Sequence, residues 1–155
     1  MNVKFSTKFI AASAAAVMAL SLAGCSGGSM DDSSSSNAKA SGDSITIGTV
    51  TTNSGTAAAY GEAEGKGFEL AVSEINAKGG INGKKVKLES MDDKGDATEA
   101  SNAFNKLSGD NNVLAVAGPT ISATTAAVAP LADQAKLATI APAATSDSIE
   151  TGNYL

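Results

Sequence analysis

The chain has no histidine, no tryptophan and no arginine, a single cysteine (Cys25), three prolines and only 4% aromatic residues. Each shortage excludes something. Without histidine no side chain titrates near neutrality to act as a general base, and a Ser–His–Asp arrangement is impossible. One cysteine and no histidine leave no zinc-ligand set. All 11 basic residues are lysines, so no guanidinium fork is available to grip a carboxylate or phosphate. The net charge is −5. Lys4 and Lys8 lie in an apolar leader without acidic residues, so the rest carries nine lysines against sixteen carboxylates, a net of −7. Nucleic-acid binding needs a basic footprint, and attraction to anionic lipid needs a cationic one. Neither is present, and no nucleic-acid partner is expected.

Several motifs fail on inspection. Gly61, Gly65, Lys66 and Gly67 have three residues where the Walker loop has four, and no hydroxyl residue follows the lysine. The same glycines fall inside a helical pattern, not at the strand-to-helix turn that a dinucleotide fingerprint requires; they read as allowing close helix packing. No Gly-x-Ser-x-Gly elbow occurs. Asp92, Asp93 and Asp96 form an acidic cluster without EF-hand spacing, and strand-end and cap aspartates are common. No cofactor, no metal and no catalytic residue is expected.

The 155 residues present are enough for one domain with a proper core, and 43% are hydrophobic. Lys4 and Lys8 precede an apolar run at residues 9–23, fifteen residues long. That is short of the roughly 20 needed to span a bilayer and fits a secretory leader. Leu22-Ala23-Gly24-Cys25 follows the pattern of a bacterial lipobox, which implies cleavage after residue 24 and diacylglycerol attachment at Cys25. Residues 26–43 are Ser-, Gly- and Asp-rich, with almost nothing to bury. Such a tether has a typical reach of roughly 20–25 Å. The expected organisation is a leader at 1–24, a disordered tether at 25–43 and a folded part at 44–155.

In the folded part Ile45-Thr46-Ile47-Gly48-Thr49-Val50 reads as a first strand. A polar loop follows, and a helical pattern begins at Glu62. Phe68, Ala71, Val72 and Ile75 make one apolar stripe with helical spacing, away from Glu62, Glu64 and Glu69. Gly79-Gly80 stops the helix. Lys85-Val86-Lys87-Leu88-Glu89-Ser90-Met91 alternates over seven residues, as a strand with one wet face at a sheet edge does. Asp96 and Glu99 have capping-box spacing ahead of a stripe of Ala97, Ala100, Phe104 and Leu107. A third strand spans 113–117. A helix over about 123–136 carries Pro130, which should kink it. A fourth strand spans 137–141. The βαβαβαβ order with short connections predicts an α/β fold, a doubly wound, mostly parallel sheet with helices on both faces.

The chain is organised around Val113-Leu114-Ala115-Val116-Ala117-Gly118-Pro119-Thr120-Ile121-Ser122-Ala123-Thr124-Thr125. A strand stops at a Gly-Pro turn, small hydroxyl residues follow, and an alanine-rich helix begins. In open α/β sheets ligands sit at such a place. The helix start presents unpaired N–H groups and partial positive charge, which suits a carboxylate. Ser122, Thr124 and Thr125 could add hydroxyl donors. An ordinary N-cap explains the same residues. However, two more polar, small-residue loops, at 51–61 and 142–146, should share this rim, and three converging loops favour a site.

The folded part resembles the N-terminal lobe of type I periplasmic binding proteins, specifically the branched-chain amino-acid-binding proteins of ABC importers. The resemblance rests on Ile45-Thr46-Ile47-Gly48 with Ser54-Gly55 and Tyr60-Gly61, on Ile75-Asn76-Ala77-Lys78-Gly79-Gly80-Ile81-Asn82-Gly83, on Asp92-Asp93, on Ala117-Gly118-Pro119, and on Ile140-Ala141-Pro142-Ala143-Ala144-Thr145. It implies that Ser122 binds a ligand α-carboxylate with backbone N–H groups near Ala123 and Thr124. The Ala143 carbonyl and Thr145 hydroxyl accept from the α-ammonium, and Tyr60 lies beside the ligand side chain. The implied partners are an amino-acid ligand (Leu, Ile or Val), an ABC permease with its ATPase, and the membrane through the lipid anchor, on the outer face of the cell membrane. The same resemblance implies a second lobe that closes over the ligand and supplies an acidic residue to the ammonium. The chain ends before it, so the expectation is a truncated lobe with half a binding site and weak binding. Two rivals are a sensory receptor of this fold, taking another amino acid, an amide or a small peptide, and an enzyme on a doubly wound sheet.

Overall fold

In a computed structural model of the protein, residues 44–155 are described; the leader, the tether and Cys25 lie outside the described residues. Four strands form one sheet: β1 (Ser44–Thr51), β2 (Lys85–Asp92), β3 (Val113–Ala117) and β4 (Thr139–Ile140). Their order is β2-β1-β3-β4, and every pairing is parallel. β1 and β2 run in register from Ser44 opposite Lys85 to Thr51 opposite Asp92. The alternating β2 is at the edge, as its wet face predicts.

Three helices make the crossovers: α1 (Ala58–Ala77), α2 (Ala97–Gly109) and α3 (Ser122–Ala135). α2 and α3 pack on one face and on each other. Val50, Ala100, Ala103, Phe104, Leu107, Val113, Val116, Val128 and Ala132 form the core there. Asp96 caps α2 by accepting from the N–H groups of Thr98 (2.8 Å) and Glu99 (3.0 Å). Only half of the capping box forms, because Glu99 turns to Lys94 at 3.6 Å.

α1 lies over β1 and β2 on the other face. It begins at Ala58 after a single 3-10 turn at Gly55–Ala57, four residues before the expected start. Its stripe is not buried as expected: Phe68, Val72 and Ile75 are half-buried and Ala71 is exposed. The strand residues beneath it are Thr49, Thr51, Leu88 and Ser90, which leave a cavity of about 270 Å³. Of the helix glycines only Gly61 packs closely, since a Cβ there would fall 2.0 Å from the Thr52 carbonyl oxygen; Gly65 and Gly67 meet nothing.

β4 is shorter than expected. Beyond Ile140 the chain leaves the sheet into the 142–146 loop, and Thr139 donates its N–H to the carbonyl of Tyr154 at 2.7 Å. α3 runs on through Pro130 to Ala135.

Candidate ligand-binding site

The three polar loops meet at the carboxyl ends of the strands. Tyr60, Thr120, Ile121, Ser122, Ala143 and Thr145 line one cavity of about 350 Å³. Tyr60 comes from the first turn of α1 and is 71% exposed. A larger groove, about 500 Å³, lies between α3 and residues 148–152. It faces the side of α3 and includes no helix start, so it offers no set of donors.

Residues 120–122 come from the turn after β3. That turn is tight: Gly118 has φ 111°, and a Cβ there would fall 1.9 Å from the Val50 carbonyl oxygen. Only glycine passes so close in this backbone region. The turn brings the chain to the start of α3, where Ile121 offers no side-chain cap. The N–H groups of Ser122, Ala123 and Thr124 have no intrahelical acceptor. The first to close a turn is that of Thr125, onto Ile121 at 2.9 Å. Uncapped N–H groups beside a cavity fit an anion.

The hydroxyls divide differently from the expectation. Thr124 and Thr125 are buried and point back, donating to the Ile121 carbonyl at 3.0 and 2.9 Å. Neither hydroxyl has a proton left for a ligand, and Thr124 keeps only its N–H, in a residue with no exposed surface behind the cavity lining. Ser122 is different. Its Oγ accepts from the N–H groups of Thr145 (3.1 Å) and Ser146 (3.2 Å). A serine hydroxyl has two acceptor positions and one donor. Both acceptor positions are occupied, so Ser122 can meet a ligand only by donating. The same two bonds fasten the 142–146 loop to the helix start. Ala143 and Thr145 are exposed on that loop, facing Tyr60 across the cavity.

Beneath the floor lies a buried polar chain. Thr120 Oγ1 accepts from the Thr52 N–H at 3.1 Å and donates to Glu64 Oε2. Thr52 Oγ1 donates to Asp93 Oδ1 at 2.6 Å, which also accepts from the Gly95 N–H at 2.9 Å. Burial pushes the Glu64 carboxyl up; the Thr120 hydroxyl pulls it down, and the Asp93 charge adds to the rise. Asp92 is on the outside. Burial pushes it up, but the N–H groups of Lys94 and Asn53, the Ser54 hydroxyl and the Lys94 charge outweigh that and hold it below the usual carboxylate range. The three aspartates thus serve three local tasks: Asp92 ties two loops, Asp93 holds Thr52, and Asp96 caps α2.

The periplasmic binding protein profile matches residues 44–155, the whole of this sheet and its rim. The chain belongs to that family. It is 38% identical over 105 residues to the Leu/Ile/Val-binding protein BraC3 of Rhizobium johnstonii, covering 68% of this chain and 28% of the relative. A Streptococcus pneumoniae branched-chain amino acid transporter substrate binding protein, LivJ, solved with isoleucine, is similar with 43% identity and a TM-score of 0.66, over 68% of this chain and 30% of that one. A solute binding protein of an ABC transporter from Rhodopseudomonas palustris, solved with 3,4-dihydroxy benzoic acid, superposes with 26% identity and a TM-score of 0.63, over 70% of this chain and 29% of that one. The chain therefore spans less than a third of the length of these relatives.

All six expected residues lie on the one rim. Tyr60, Ser122, Ala143 and Thr145 line the cavity, and Ala123 and Thr124 follow Ser122 in the first turn of α3. Thr120, Ile121, Thr52 and Glu64 have no site role in the sequence reading. Thr52 and Thr120 fall in loops expected at the rim. Glu64 lies away from the apolar stripe, as its spacing predicts, yet its Oε1 is buried. Helical spacing offered a clue, because Glu64 is one turn from Tyr60 and from Gly61, on the side of α1 that meets the loops.

Proposed function

We propose that the chain is the ligand-binding lobe of an extracytoplasmic lipoprotein that captures an amino acid for an ABC importer, with leucine, isoleucine or valine as ligand. The observation that carries this reading is the cavity between an uncapped helix start and the Ser122-anchored 142–146 loop. A zwitterion needs donors at one end and acceptors at the other. The carboxylate takes the N–H groups of Ala123 and Thr124 and the Ser122 proton. The ammonium donates to the Ala143 carbonyl and the Thr145 hydroxyl. Tyr60 lies beside the aliphatic side chain. The lobe performs no chemistry on its ligand. Cys25 anchors the protein to the outer face of the membrane, where it delivers ligand to a permease and ATPase. The Leu/Ile/Val-binding relative and the isoleucine-bound neighbour support the ligand class.

A second reading has its own support. The neighbour bound to 3,4-dihydroxy benzoic acid takes a carboxylate that has no ammonium. In that reading the helix start is kept, the Ala143 and Thr145 half is idle, and the protein is a receptor for another small molecule. Titration with isoleucine, isoleucinamide and the deaminated acid separates the two. The amino-acid reading predicts that both single-ended analogues bind at least tenfold more weakly than isoleucine. Equal binding of the deaminated acid would contradict it.

A further inference from the structure

The net charge argues against attraction to anionic lipid, but the fold separates what composition averages. In a parallel sheet with helical crossovers, the strand starts and the helix ends share the side opposite the rim. Six of the eight lysines in residues 44–155 fall there: Lys78, Lys84, Lys85, Lys87, Lys106 and Lys136. Lys78 and Lys136 are the C-cap residues of α1 and α3, and Lys106 is in the last turn of α2. Lys85 stands opposite Ser44 and Lys87 opposite Thr46, at the start of the sheet. All but Lys84 are exposed.

Of the thirteen carboxylates in the same residues, this end holds Glu74, Asp110 and Asp133. Asp133 Oδ1 is engaged by the N–H groups of Asn153 (2.8 Å) and Tyr154 (3.0 Å). The rest of the lobe sets Lys66 and Lys94 against the other ten. One end is therefore basic on a chain that is acidic as a whole. Four of these lysines also suit helix ends: Lys78, Lys106 and Lys136 by position, and Lys85 because its Nζ donates to the Asn76 carbonyl at 2.6 Å. A helix end acts only within its last turn and carries about half a charge, so a group of full charges outweighs it. Ser44 opens β1 at this same end, so the chain from Cys25 enters the lobe here, across residues 26–43. A tether of that length reaches roughly 20–25 Å, enough for an anchored lobe to touch the bilayer with its basic end.

We propose that this basic end is a docking surface for anionic lipid headgroups, holding the lobe with its strands running away from the membrane and its rim outward. The orientation depends on the Cys25 anchor of the proposed function and on no particular ligand. Each lysine near an anionic surface strengthens attachment by about fivefold, while the acidic remainder is repelled. β1, eight residues long, sets the rim about 25 Å further out. That is beyond the Debye length of about 8 Å at physiological salt, so the acidic rim does not undo the attachment.

The test couples the lone cysteine, Cys25, of the full chain to a maleimide lipid in nanodiscs of phosphatidylcholine and phosphatidylglycerol, with gadolinium on some headgroups to broaden nearby amide signals. Residues 78–87 are expected to lose their amide signals while Ser122 and Thr145 keep theirs. The loss should vanish in high salt, in discs of phosphatidylcholine alone and in Lys78→Glu/Lys87→Glu. Both side chains are exposed, and such surface changes cost little stability. If that variant does not fold, the salt and lipid comparisons on wild type decide. Uniform broadening, broadening led by the rim, or equal loss in neutral discs would overturn the docking surface. Perturbation of these amides by duplex DNA, with none by the discs, would assign the surface to nucleic acid and overturn the lipid. The maleimide supplies the anchor here. A Cys25 found unlipidated in the cell by mass spectrometry would therefore contradict the proposed function without altering this result.

Discussion

The two faces of the sheet are built from different chemistry. The face under α2 and α3 is apolar and closed, with Phe104, Leu107, Val50 and Val128 fully buried. The face under α1 presents Thr49, Thr51 and Ser90, and its helix buries only a glycine. Removal of apolar surface from water is the dominant driving force of folding, so the first face holds the fold together. The rim leaves N–H groups at the start of α3 and the Ser122 proton to be filled. The lesson is a division of labour within one small sheet, in which α3 belongs to both parts. Val128 and Ala132 enter the core, while the start of the same helix lies open at the rim.

The two faces should differ most at Phe104. Phe104→Ala removes a fully buried ring and should cost about 3–5 kcal/mol in denaturant unfolding. Phe68→Ala, on the half-buried α1 stripe, should cost about 1 kcal/mol. Equal losses would mean that the faces do not differ. At the rim the effect moves from stability to affinity. Ser122→Ala removes a donor and the anchor of the 142–146 loop, and should weaken amino-acid binding by about 1–3 kcal/mol in calorimetry. Thr145→Val keeps the shape and should weaken binding by no more than Ser122→Ala does, because the loop anchor survives. Gentlest is the response to acid. Asp92 is held below the usual range by the groups that tie its two loops. Its contribution is therefore present above the ordinary aspartate pKa and is lost as pH falls through the lower native one. Asp92→Asn should flatten the acid limb of a stability–pH curve and leave the neutral region unchanged.

Much of this architecture was legible in the residues, for local reasons. β2 announced itself by alternation and took the edge. α2 announced itself by Asp96 and a stripe whose Ala100, Phe104 and Leu107 enter the core. The rim was legible because three strand ends in a parallel sheet must share one side. The misreadings have a common cause in distant contacts. The α1 stripe looked buried because periodicity does not report what lies opposite, and threonines lie opposite. The hydroxyls of Thr124 and Thr125 looked available because sequence does not say that a helix start will recapture them. Glu64 gave no sign of burial because its partner, Thr120, is 56 residues away. β4 looked longer because its length is set by its partner, and β3 stops pairing at Ala117, opposite Ile140.

In the proposed function the start of α3 and the 142–146 loop together read an amino-acid backbone. Amide chemical-shift mapping of the chain with isoleucine tests it most directly, since it detects even weak binding residue by residue. The largest shifts are expected at the N–H groups of Ser122, Ala123, Thr124 and Thr145, abolished by Ser122→Ala. Shifts confined to the groove between α3 and residues 148–152, with the start of α3 silent, would contradict it.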